Sequence, residues 1–266
     1  MYTRRDLGKI ALAALPVVKA FGAVNSKFSG VQIGAQTYSY RTVSNVDDII
    51  QAMAQTGIGE AELMSDHAKE KDVRKKFDAA GIDIALLCYN MNEKTSDDEI
   101  EYAFQMAKAL GVKAISTSTQ ITVAKRIAPF ADQHQMMVGF HGHDNTRNPN
   151  EFATPESFAA AMSYSKYHGI NLDIGHFTAA NFDPLPFIRE HYARITNLHL
   201  KDRKKNHGPN VPWGQGDTPI KEVLQLLAKE KYAFPANIEF EYAVPEGSDL
   251  NTEMGKCLKY CKDALA

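Results

Sequence analysis

From Val31 to the C-terminus one unit recurs about every 25 to 30 residues: a short apolar run, a polar loop, then apolar residues at helical spacing. The apolar runs predict strands at Val31–Gln36, Glu60–Met64, Asp83–Tyr89, Ala114–Thr117, Met136–His141, Ile170–Ile174, Ile195–Leu200 and Asn237–Glu241. Between them, Val46–Gln55 places Val46, Ile49, Ile50 and Met53 on one helical face. The segment Ser96–Leu110 opens with Ser96 and Glu99 at capping-box spacing and closes before Gly111, a favoured helix-end residue. Thr218–Lys229 carries Pro219 in its first turn, where a missing N–H costs nothing, and a last helix runs over Leu250–Leu265. Eight strands alternating with helices require parallel pairing with the helices outside. The expected architecture is a single (β/α)8 barrel spanning residues 31–266, with no linker or low-complexity tract dividing it. Gly34-Ala35-Gln36-Thr37-Tyr38 after the first strand is no phosphate cradle, which argues against an open nucleotide-binding sheet.

Residues 1–30 read differently. Arg4-Arg5 precedes a short, moderately apolar stretch, Ile10–Val18, and Val18-Lys19-Ala20 offers small residues for cleavage. This resembles a Tat-type export signal and implies a periplasmic protein that crosses the membrane already folded, with its cofactor loaded. Such a protein would meet few phosphorylated metabolites. An apolar run of about 18 residues is absent, so no stable membrane anchor is expected. With 30 basic and 32 acidic side chains the net charge is −2, which gives no footprint for nucleic acid. Cys88, Cys257 and Cys261 do not make a disulfide framework; the last two, four apart, read as small apolar residues of the terminal helix. A homo-oligomer is compatible with this composition.

Polar residues gather where the barrel's chemistry should sit, at the strand C-termini. The second strand offers Glu60 and Glu62. The fifth ends Gly139-Phe140-His141-Gly142-His143-Asp144, and the sixth Asn171-Leu172-Asp173-Ile174-Gly175-His176. The seventh runs Asn197-Leu198-His199-Leu200-Lys201-Asp202 and the eighth Asn237-Ile238-Glu239-Phe240-Glu241. Alternate residues of a strand share a face, so these ionisable groups converge, and a divalent cation would relieve their repulsion using imidazole and carboxylate ligands.

These motifs, with Gly214-Gln215-Gly216-Asp217 before the seventh helix, resemble the xylose-isomerase-like barrel superfamily of sugar phosphate isomerases and epimerases. The resemblance covers the chain from about Val31 onward. It implies metal ligands at His141, Asp173, His199 and Glu239, with His143 an alternative to His141. It implies a divalent ion, Mn2+ first and Zn2+, Co2+ or Mg2+ as alternatives. Expected catalytic residues are Glu239, His141 and Lys201, the lysine either steadying an oxyanion or pairing with a carboxylate. Expected substrate-binding residues are Glu62 (with Glu60 as the alternative), His143, His176, Glu241 and Trp213. Trp213 and Tyr38 are read as an apolar wall for a sugar ring or as ordinary aromatic packing. His67, His134, His168, His191 and His207 lie off the strand ends and are expected at the surface.

The implied chemistry is removal of a proton next to a metal-bound carbonyl of a small carbohydrate, giving an isomerase or epimerase. Where the family presents glutamate on the fifth strand, this chain has His141, which puts a symmetric two-glutamate epimerase in doubt. A lyase or hydrolase opening 3-keto-glycosides by β-elimination is the alternative, and a non-catalytic periplasmic sugar-binding barrel a further one. Phosphodiester cleavage of the endonuclease IV kind is opposed by the near-neutral charge.

Overall fold

The computed structural model describes residues 23–266, so the expected export signal lies largely outside the described residues. Eight parallel strands form a closed ring: β1 (Val31–Gln36), β2 (Glu60–Met64), β3 (Asp83–Cys88), β4 (Ala114–Thr117), β5 (Met137–His141), β6 (His168–Asp173), β7 (Ile195–Leu200) and β8 (Ala236–Ile238). Each pairs with the next in sequence, and β1 also pairs with β8, which closes the barrel. This is the single (β/α)8 barrel that the repeat predicts.

Local chemistry sets the helix ends. The Ser96 hydroxyl and the Glu99 carboxylate satisfy each other's backbone N–H groups at the start of Asp97–Leu110, and Gly111 ends that helix in the left-handed region with φ 71°. Asn45 caps Val46–Thr56 through the Asp48 N–H, and Thr154 caps Pro155–Met162 with proline in its first turn. Outer helices Val73–Ala79, Ile121–His134, Pro184–His191, Ile220–Glu230 and Leu250–Ala264 complete the ring and bury one stripe each against the sheet. Cys257 and Cys261 are buried in the last helix, and all three cysteines are free thiols. Among the described residues no helix is long and apolar enough to cross a membrane.

The fold begins before Val31. Lys27–Phe28 pairs antiparallel with the start of β1 through a turn at Ser29 and Gly30, both with positive φ. Ser26 is buried; its hydroxyl donates to the Ile33 carbonyl at 2.5 Å and accepts from the Gly59 N–H at 2.9 Å. The Val24 N–H donates to the Gly81 carbonyl at 3.0 Å, and Ser29 Oγ to the Leu265 carbonyl at 2.6 Å. Residues 24–30, assigned from sequence to the N-terminal segment, therefore cover the lower end of the barrel. The eighth strand is shorter than predicted and ends at Ile238, which leaves Glu239 and Glu241 on the loop that leaves it.

Candidate metal centre

The barrel interior is polar by an alternation legible along each strand. Asn171 and Asp173 on β6, Asn197 and His199 on β7, and Asn237 followed by Glu239 all point inward. Register stacks them in layers: Asn171 lies beside Asn197, Asp173 beside His199, and His199 beside Asn237. The floor is Glu62, which is fully buried. Its carboxylate accepts from Asn197 and Asn237, each at 2.9 Å, and from Ser116, and it meets His199 Nε2 at 2.7 Å. A buried carboxylate ringed by donors is a satisfied one. Glu62 therefore lies beneath His199 and does not line the cavity, contrary to the substrate-binding role expected of it. The alternative, Glu60, begins its strand at the barrel's lower end and cannot reach the site either.

Above this floor, one ligand atom from each of His141, Asp173, His199 and Glu239 lies within 4.8 Å of all the others, and all four residues are buried. His141 Nδ1, Asp173 Oδ2, His199 Nδ1 and Glu239 Oε2 are also buried atoms without a hydrogen-bond partner. His199 Nδ1 lies 2.9 Å from Glu239 Oε2 as an ion-pair contact. One ligand atom of each residue is within reach of a common point. With two imidazoles and two carboxylates, the donor set fits a divalent cation.

Lys201 spans the carboxylates of this cluster. Its Nζ lies 2.9 Å from Asp173 Oδ2, 2.8 Å from Glu239 Oε2 and 2.5 Å from Glu241 Oε2. Burial alone would push the ammonium pKa down, but Asp173, Glu239 and Glu241 raise it well above the ordinary lysine value, so Lys201 is a fixed cation. Burial would likewise raise the Glu239 carboxyl, and Lys201 with His199 holds it well below the carboxylate range. His199 is raised well above its ordinary value because Glu62 and Glu239 overcome its burial. His141, buried and beside His199, is pushed down and is neutral, the form that can serve as a ligand.

A cavity of about 510 Å3 opens over the cluster, a size usual for small-molecule sites. The expected residues His141, His143, His176, Lys201, Glu239 and Glu241 line it, and Tyr38 stands in its wall. Trp213 does not. It packs edge-on against Tyr260 of the last helix with ring centroids 5.8 Å apart, because the loop after β7 folds back over that helix. Asp202 holds this loop, accepting from the N–H groups of Gly214, Gly216 and Thr218. Of the histidines expected at the surface, His168 is buried and His134 is half-buried with its ring covered. His168 bonds the Ala161 carbonyl through Nδ1 at 2.8 Å and packs on Phe140; His134 meets Glu101 at 2.8 Å and stacks on Phe104. His67 is half-buried, with Nδ1 2.9 Å from the Thr37 hydroxyl.

Sequence reasoning missed Asp144 and Arg203, which also line the cavity. Asp144 Oδ1 lies 3.1 Å from His176 Nδ1 and 3.0 Å from Arg203 Nη1. His176 and Arg203 together hold its carboxyl well below the usual range. Both residues extend motifs already noted, Asp144 directly after His143 and Arg203 directly after Lys201-Asp202, but nothing local says that they pair.

The xylose isomerase-like TIM barrel family matches residues 50–261 of the chain. No curated protein matches. Among solved structures, the fold is similar to the probable 3-DHS dehydratase AsbF of Bacillus anthracis, at 17% identity and TM-score 0.70 over 86% of this chain and 98% of that one. It is similar to a sugar phosphate isomerase/epimerase from Parabacteroides distasonis, at 17% identity and TM-score 0.68 over 93% and 99% of the two chains. It is also similar to the IolI protein with a bound zinc atom, at 14% identity and TM-score 0.70 over 88% and 98%. With a closed eight-stranded barrel, a cluster of four buried ligand atoms at its mouth and a match over most of its length, the chain belongs to the xylose isomerase-like TIM barrel family.

Proposed function

We propose that this protein is a divalent-metal-dependent carbohydrate isomerase or epimerase. The observation that carries the reading is the convergence of buried ligand atoms from His141, Asp173, His199 and Glu239 within 4.8 Å beneath an open cavity. Mn2+ is the first expectation for the ion, with Zn2+, Co2+ and Mg2+ as alternatives; two imidazoles weigh against Mg2+. Bound there, the ion would polarise a substrate carbonyl and make the neighbouring C–H more acidic.

The protein's own groups supply the rest. His199 is oriented from below by Glu62, which directs Nδ1 toward the cluster. Glu239 is ionised at all but strongly acidic pH, so it is always ready to accept a proton; the same low pKa makes it a weak base that needs an acidified C–H. Lys201, a permanent cation between Glu239 and Glu241, is placed to steady negative charge developing on a substrate oxygen. His143, His176 and Glu241 line the wall where substrate hydroxyls would lie. Returning the proton to the neighbouring carbon isomerises, and returning it to the opposite face epimerises.

One observation favours a second reading, β-elimination from a 3-keto-glycoside. His141 stands where a second carboxylate base would be needed for symmetric epimerisation, which leaves Glu239 as the single carboxylate base of the pair, as an elimination requires. Dehydration is an elimination, so the similarity in fold to a probable dehydratase is consistent with this reading.

The experiment is metal analysis of purified protein, then turnover of free ketoses and of 3-keto-glycosides in deuterated water, with Glu239→Gln alongside. Deuterium exchange into a ketose supports the first reading, and glycone release without ketose exchange supports the second. A metal-free protein indifferent to chelators would overturn both. A Glu239→Gln variant that keeps its sugar affinity when the parent shows no turnover would identify a sugar-binding barrel. Export to the periplasm is part of the proposal and rests on Arg4-Arg5 and the apolar stretch after it. Cell fractionation of the full chain against Arg4→Lys with Arg5→Lys tests it.

A further inference from the structure

Among the described residues two cations line the cavity, Lys201 and Arg203, and carboxylates hold both. The Lys201 ammonium sits among Asp173, Glu239 and Glu241. The Arg203 guanidinium lies along Asp144, with Nη1 3.0 Å from Oδ1 and Nη2 3.3 Å from Oδ2. Its Nη1 also lies 2.5 Å from His176 Nδ1, and the Gly208 carbonyl accepts from Nε at 3.1 Å and from Nη2 at 2.7 Å. Only a tenth of the Arg203 side chain is exposed. Asp144 also meets the imidazoles of His176 at 3.1 Å and His207 at 3.2 Å.

A phosphoryl or carboxylate substituent on a sugar is recognised by a free guanidinium fork, a free ammonium or a cradle of backbone N–H groups. At this site the fork is already filled by a carboxylate of the protein itself. Four carboxylates (Asp144, Asp173, Glu239 and Glu241) face the two cations and Glu62 beneath His199 adds a fifth, so even a divalent ion leaves no surplus positive charge for an anionic substituent.

We infer that the site takes an uncharged carbohydrate, and that Asp144 sets this selectivity by occupying Arg203. The inference rests on the carbohydrate reading above, and it is independent of the export signal. Asp144 acts through Arg203 as a specificity-determining residue. With its charge removed, the guanidinium becomes available to an anion.

Inorganic phosphate is the probe, titrated by calorimetry into the full chain dialysed against chelator, so that no metal competes for it. The parent is expected not to saturate. Asp144→Asn should bind phosphate at least about tenfold more tightly, and Asp144→Asn combined with Arg203→Gln should lose the gain. Arg203→Gln alone should leave phosphate binding as in the parent, a check that holds even where the Asp144 variant folds poorly. Saturable binding by the parent that Arg203→Gln removes would overturn the inference. So would an Asp144→Asn protein with the parent's circular dichroism and no gain. Metal-loaded protein is then given ketoses and their phosphates. Turnover of the phosphates alone would sink the selectivity while leaving the isomerase standing. Turnover of neither, with the phosphate titrations as expected, would count against the proposed reaction and for the selectivity.

Discussion

Glu62 has no exposed surface, yet the site above depends on it. Its carboxylate fixes His199 through Nε2 at 2.7 Å and leaves Nδ1 for the cluster. Glu62→Gln should therefore weaken metal binding by about 10- to 100-fold, as loss of a ligand's orienting partner does elsewhere; titration with a competing metal indicator measures it. His199 also predicts a pH dependence. Its pKa is raised well above 6.5 by Glu62 and Glu239, so without metal the imidazole holds a proton that an ion must displace. Metal affinity should rise by up to about tenfold per pH unit as pH climbs toward that raised pKa. Equal dissociation constants at pH 6 and pH 8 would refute this. At the opposite end of the barrel, burial and the neighbouring Asp83 raise the Glu60 carboxyl from 4.5 to about 7. Between those values the folded protein holds more protons than the unfolded chain, so stability falls as pH rises through the window. Glu60→Gln should raise the melting temperature at pH 8, by the equivalent of about 1–3 kcal/mol, and leave it nearly unchanged at pH 4.

At the scale of elements, the site is built from strand ends and from the short turns that follow them. Gly175 opens the short helix Ile174–Ala179, where a Cβ would stand 2.3 Å from Lys201 Cγ and 2.8 Å from the Lys201 carbonyl. Gly175→Ala must push the lysine off its three carboxylates or shift β7. We expect a loss of about 1–3 kcal/mol in stability, read by urea titration, together with loss of turnover. The outer helices answer to local rules instead. Ser96→Ala removes one half of the capping box on Asp97–Leu110, whose residues do not line the cavity. It should cost about 1 kcal/mol and leave metal affinity untouched.

For the whole molecule, the apolar core lies mainly between the sheet and its ring of helices, and the polar interior sits inside a barrel already closed by β1–β8 pairing. The fold should therefore persist without metal. An ion at one hundred times its dissociation constant would add about 2.7 kcal/mol to stability. For a chain of this length a chelator should then lower the melting temperature by roughly 5–10 °C, with far-ultraviolet circular dichroism unchanged below the transition. Unfolding on chelation at room temperature would contradict this account.

The sequence by itself determined the barrel, its strand order and a gathering of ionisable residues at the strand ends, and the resemblance of its motifs to a known family singled out His141, Asp173, His199 and Glu239 as candidate ligands. The first three are written locally, in the recurrence of strand and helix periods and in ionisable residues at alternate positions near strand ends. Tertiary structure alone decided that Glu62 is floor and not wall, that Trp213 faces the last helix, that His168 is buried, and that residues 24–30 cover the barrel's lower end. It alone joined Arg203 to Asp144, residues 59 positions apart in the chain. Period and spacing say which way a side chain points from its own strand. How high it sits in the barrel, and which distant residue it meets there, follows from inter-strand register and ring closure, which no local stretch of sequence encodes.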